Sequence, residues 1–325
     1  MGSGATRLQE AYSSSAMLQF IDTCLRGIGQ VIFQNNPLSG ALFLAALIWG
    51  SFVAGVSHIV VGGTAALVAA TATALWLRAG REALRAGLFG YNGILTGLAL
   101  TYFLGAGPAV LAYAVLGGCI TAIAMLGPVN AARPWGVPAH TYPFVLVTWI
   151  FLLAAYGFSG PPASFPGASA APVDPVASDP LRILDFVQGI FRSISQIFFK
   201  DSIIAAPLIV AGLAVNSVAA AAFAVGGALL AVVSAHFFGV ESALIASGLQ
   251  GFSPVLTAVA LGTVFYRPSI RVAAFAALGT VVAVVAQSAL TVALAPMALP
   301  PLSFPFDLVA WIFFGSKSRL GARKS

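Results

Sequence analysis

Polar and apolar positions in this chain fall into long blocks, with neither the strict alternation of a half-buried strand nor the narrow apolar stripe of a soluble helix. Apolar segments cover about residues 16–34, 38–54, 57–78, 86–105, 108–127 and 141–157, and then 183–200, 203–216, 218–238, 243–265, 272–292 and 303–315. Most are too long for buried core helices, and none shows the alternating segments of a membrane barrel. The bilayer core has no water to satisfy backbone N–H and C=O groups, so such blocks must close their own hydrogen bonds as helices. The pattern predicts an all-α polytopic membrane protein. Its divisions are an N-terminal tail (1–15), a first unit (16–157), a linker (158–181), a second unit (182–315) and a basic tail (316–325). The linker is rich in Pro, Ser, Gly and Ala and carries Asp174 and Asp179 without Lys or Arg, which reads as a segment outside the bilayer.

The two units are copies. Gly29-Gln30-Val31-Ile32-Phe33 returns as Ser195-Gln196-Ile197-Phe198-Phe199, an offset of 166. Gly87-Leu88-Phe89-Gly90-Tyr91-Asn92-Gly93-Ile94-Leu95 returns as Gly248-Leu249-Gln250-Gly251-Phe252-Ser253-Pro254-Val255-Leu256, an offset of 161. Val137-Pro138-Ala139-His140-Thr141-Tyr142-Pro143-Phe144 returns as Leu299-Pro300-Pro301-Leu302-Ser303-Phe304-Pro305-Phe306, an offset of 162. Order is kept with small gaps.

Charge then orients the copies. After its third segment the first unit carries Arg78, Arg81 and Arg85, and after its fourth it carries no charge; the second unit has Glu241 in the first of these loops and Arg267 and Arg271 in the second. A basic loop displaced by one helix is what inverted repeats predict under the positive-inside rule. Inversion needs an odd number of crossings, and each unit has six segments, so one per unit is expected to be re-entrant or interfacial, leaving five transmembrane helices per repeat. If that segment is the first, then Arg7, Arg26, the 78–85 loop, Arg133, the 267–271 loop and Lys317, Arg319, Arg323 and Lys324 all lie on the cytoplasmic side with both termini. Charge confines the choice to the first three segments and goes no further.

Composition agrees: 59% of residues are hydrophobic and 7% charged, too little charge to clothe a surface in water. The net charge of +6 follows from the basic loops and implies no nucleic acid. Cys24 and Cys119 have no ligand spacing and read as small core residues, and Met1-Gly2-Ser3-Gly4-Ala5-Thr6 fits a myristoylation pattern that short Gly/Ser leaders also fit. His58, His140 and His236 lie far apart, which suits structural histidines and no metal. Without a Walker motif, zinc constellation or nucleophile and base pair, an enzyme is not expected.

These residues resemble the urea transporter family of bacteria and animals. The resemblance rests on Phe33-Gln34-Asn35-Asn36-Pro37-Leu38-Ser39-Gly40, on the glycine-rich stretch from Gly87 to Gly97, and on two versions of a Leu-Pro-x-x-Thr-x-Pro-Phe pattern, and it spans about residues 16–315. It implies a passive urea channel working without cofactor as a homotrimer, with one pore per protomer between the two inverted halves; a chain of little more than the repeats is expected in a bacterial inner membrane. The implied filter is a flat slot of aromatic and aliphatic walls edged by oxygens. Urea is planar, uncharged and rich in N–H donors, so facing rings suit its plane and a ladder of acceptors replaces its water. On that resemblance Gln30 and Gln196 stand at the two mouths. Val31 with Phe33, and Ile197 with Phe199, wall the slot beside them. Tyr91 with Leu95, and Phe252 with Leu256, form the second pair of walls, each pair four residues apart on one helical face. Thr141 and Ser303 offer hydroxyl oxygens in the narrow middle.

Some positions depart from the pattern. Lys200-Asp201-Ser202 and Ala206-Pro207-Leu208 stand where the first unit has Asn35-Asn36-Pro37-Leu38; Val137 replaces Leu and Ser303 replaces Thr; and family members often carry Glu where Gln196 stands. Two other readings fit the residues: an ion-coupled carrier of a small amide, with Asp307 or a Lys200–Asp201 pair as its switch, or a membrane scaffold in which the repeats merely pack.

Overall fold

The structure, a computed structural model, describes residues 15–132, 138–157 and 182–314. Most of the N-terminal tail, Arg133, Val137, the linker and the basic C-terminal tail lie outside the described residues. Those described are helical and contain no strand. The first unit comprises α1 (Ala16–Gln30), α2 (Pro37–Val53), α3 (Ser57–Trp76), α4 (Arg81–Arg85), α5 (Gly90–Leu104), α6 (Pro108–Ala132) and α7 (Tyr142–Gly157). The second comprises α8 (Ile183–Ser195), α9 (Ala205–Asn216), α10 (Val218–Phe237), α11 (Ser242–Ala246), α12 (Phe252–Val259), α13 (Ile270–Leu294) and α14 (Phe304–Phe314).

Each helix matches its counterpart in order, and the starts are set by local chemistry. Asn36 caps α2 by accepting from the N–H groups of Leu38 and Ser39, with Pro37 in the first turn. Ser217 and Ser269 cap α10 and α13 in the same way. The sequence pattern reads residues 78–85 as a basic loop, where the structure has the short helix α4, and it joins α11 to α12 as one apolar segment. Each short helix ends at a left-handed glycine, Gly87 (φ 77°) or Gly248 (φ 75°). At Gly87 a Cβ would come 2.3 Å from the backbone nitrogen of Gly27, and at Gly248 it would come 2.4 Å from the carbonyl carbon of Arg192. The turn therefore tolerates no side chain, and it presses the start of the following segment onto α1 or α8.

Helices α3, α6, α10 and α13 are each long and apolar enough to cross a bilayer alone; α2, α7, α9, α12 with its π turn, and α14 are shorter apolar helices. Large apolar side chains cover the outer surface, among them Trp76 (79% exposed) and its counterpart Phe237 (82%), as a protein solvated by lipid requires.

The halves meet through self-paired elements, α2 against α9 and α7 against α14. Trp149 donates its indole N–H to the carbonyl of Pro300 at 2.8 Å, and Trp311 donates to Pro138 at 2.9 Å. These are the same contact with the units exchanged, since Trp149 matches Trp311 and Pro138 matches Pro300. Reciprocal contacts of this kind require a pseudo-two-fold axis between the halves. Ring pairs repeat the exchange: Phe33 with Phe306 at 5.8 Å and Phe199 with Phe144 at 6.3 Å; Trp149 with Phe304 at 5.2 Å and Trp311 with Tyr142 at 5.7 Å.

Candidate functional site

Between the halves lies a cavity of about 300 Å³. Eight of the residues singled out from sequence line it: Val31, Leu95, Gln196, Ile197, Phe199, Phe252, Leu256 and Ser303. The fold gathers them because α1 and α8 each end in a tight loop. Phe33 and Phe199 adopt the left-handed conformation there (φ 59° and 57°), turning the chain back toward α2 and α9. Gln196 lines the cavity and donates its amide N–H to the Ser247 carbonyl at 3.1 Å, leaving its amide oxygen as the remaining acceptor. Gln30 makes the matching bond to the Ala86 carbonyl at 2.9 Å.

Gln30, Phe33, Tyr91 and Thr141 are not among the residues lining this cavity. Tyr91 is buried, and its hydroxyl donates a short hydrogen bond to the His140 carbonyl, so its oxygen is committed to the protein. Phe33 packs its ring on Phe306. Thr141 lies at the axis, one step from the cavity: Ser303 donates to its hydroxyl at 2.6 Å. The Thr141 hydroxyl in turn donates to the Asp307 carboxylate, whose two oxygens lie 3.0 and 3.1 Å away, and the Thr141 backbone N–H donates to the same group at 3.1 Å. Asp307 is fully buried in the first turn of α14, and its counterpart in the first unit is Val145.

Sequence reasoning overlooked part of the lining. Tyr102, Phe103 and Phe144 of the first unit line the cavity against the second, with Phe199 meeting Phe103 at 6.2 Å and Tyr102 at 5.8 Å. Gln250, Gln287 and Thr291 add polar groups; the counterparts of the two glutamines are Phe89 and Met125, so a search for paired residues passes over them. The Lys200–Asp201 pair that the ion-coupled reading would use does not form. Asp201 pairs with Arg192 at 2.6 Å, while the buried Lys200 amine has no partner and its stem lies against Gly50. Among the described residues no cluster of His, Cys, Asp or Glu suits a metal ion.

Two fused helical repeats about a pseudo-two-fold axis, lipid-facing outside and enclosing an aromatic and amide-lined cavity, define a polytopic membrane protein of the transporter and channel class. The urea transporter family model matches residues 21–318, and the chain belongs to that family. It is 27% identical over 302 residues to urea transporter 1 of Ovis aries and equally to that of Capra hircus, covering 91% of this chain and 77% of each relative. It is also 27% identical to urea transporter 1 of Rattus norvegicus, over 77% of this chain and 64% of that protein.

Proposed function

We propose that the protein is a passive, selective urea channel of ten crossings, with its pore between inverted halves, working as a homotrimer in a bacterial inner membrane with both termini cytoplasmic. The observation that carries this reading is at the edge of the cavity, where Ser303 of the lining meets the buried Thr141 hydroxyl to hydroxyl at 2.6 Å on the axis relating the repeats. A path running beside that pair passes aromatic and aliphatic walls and then hydroxyl oxygens, which suits a planar donor of N–H groups and offers a bare cation no full coordination shell. The family membership and the urea transporters among its relatives support urea as the solute. The displaced arginine loops support inversion, because a two-fold axis lying in the membrane plane carries each cytoplasmic loop to the opposite face.

In liposomes containing the purified protein, urea influx should rise linearly with concentration and ignore ionophores that collapse proton and sodium gradients. The second reading, an ion-coupled carrier, is favoured by one observation, the fully buried carboxylate of Asp307. Saturable influx abolished by an ionophore would establish that reading in place of the channel.

A further inference from the structure

Two facing hydroxyls carry two protons and can make only one hydrogen bond to each other, so one proton is left over. At Thr141 and Ser303 that proton would turn into the passage and confront the N–H groups of an arriving amide. Resting on the reading of this chain as a urea channel, we propose that Asp307 is a positioning residue that takes up the surplus proton's hydrogen bond and so makes the constriction a pure acceptor. Ser303 donates to Thr141 at 2.6 Å, and Thr141 donates to the carboxylate at 3.0 and 3.1 Å. Both protons are thereby directed along the chain toward Asp307. Two lone pairs on Ser303, which lines the cavity, and one on Thr141 remain to receive N–H donors.

The carboxylate itself is held without a cation. Neither ion pair among the described residues involves it. It sits instead where two helices begin: in the first turn of α14, and against the backbone N–H of Thr141, the residue preceding α7. The N-terminal ends of those helices carry partial positive charge toward it. Symmetry underlines the role. One acceptor at one end is all that a two-hydroxyl chain needs to acquire a direction, and the counterpart of Asp307 is the apolar Val145.

Asp307→Leu is of similar size and removes both acceptor oxygens. The Thr141 hydroxyl then has no partner but Ser303, and one proton of the pair turns into the cavity. Urea flux of this variant should fall about tenfold or more. In a Thr141→Val background, where the hydroxyl that Asp307 orients is gone, adding Asp307→Leu should change flux by less than about threefold. A purely structural role would make the two reductions multiply, and that result, or wild-type flux in Asp307→Leu, would overturn the proposal. The wild-type protein supplies a second test independent of that variant's folding and of urea transport itself. Infrared spectra of protein labelled at its aspartate carboxyls should show a carboxylate stretch that shifts in Thr141→Val. A protonated carboxyl responding to Thr141→Val, or a carboxylate indifferent to it, would each overturn the assignment. Absence of wild-type urea flux alongside the shifting carboxylate would count against the channel reading while leaving the hydrogen-bond polarity in place.

Discussion

Single side chains set the terms on which a solute passes. Thr141→Val keeps shape but deletes the hydroxyl, leaving a urea N–H unpaired in a dry constriction at a cost of about 1–3 kcal/mol. Expressed in the barrier, that lowers urea flux roughly tenfold to a hundredfold, measurable by stopped-flow light scattering of proteoliposomes. Ser303→Thr retains the acceptor and restores the residue of the first repeat, so flux should stay within a few-fold of wild type; a drop as large as that of Thr141→Val would place the methyl, not the hydroxyl, in control. Phe199, held left-handed between Phe103 and Phe144, lines the cavity. Phe199→Trp should block urea without unfolding the protein, and unchanged flux would move the wall elsewhere. At this scale the sequence was legible where a residue occurs twice. The residues expected at positions 30 and 196, 95 and 256, and 141 and 303 recur in both copies, and of these Leu95, Gln196, Leu256 and Ser303 line the cavity. Gln250, Gln287 and the use of Asp307 were missed, because each stands opposite an apolar residue in the other repeat and so carries no paired signal.

Among the elements, block hydropathy located nearly every helix to within a few residues, because lipid imposes one rule on all of them. It missed the short helix α4 inside the basic loop and the break between α11 and α12, where the apolar run continues through a turn that is dictated by backbone approach and not by polarity. Gly87→Ala and Gly248→Ala should each cost about 1–3 kcal/mol from the left-handed backbone alone, and more from collision with the facing helix, whereas Gly226→Ala, with open space where its Cβ would stand, should be tolerated. Thermal unfolding followed by size-exclusion chromatography separates the outcomes. Equal stability of all three variants would contradict the close approach of α1 to Gly87 and of α8 to Gly248.

For the whole molecule, the exchange of Trp149–Pro300 for Trp311–Pro138 makes the chain a two-fold object, and in the proposed topology the arginine loops set its direction in the membrane. Gly80→Cys and Pro268→Cys should both be protected from an impermeant thiol reagent applied outside intact cells, while Glu241→Cys reacts. Labelling of positions 80 and 268 from opposite faces would mean that the repeats are parallel. The pathway between them is tested most directly at its floor. With Cys24 and Cys119 replaced by Ala, Ser303→Cys proteoliposomes should conduct urea, lose that flux when a small neutral thiosulfonate modifies the thiol, and be modified more slowly in excess urea. Complete modification of Cys at position 303 with urea flux unchanged would show that the solute does not pass between the two halves.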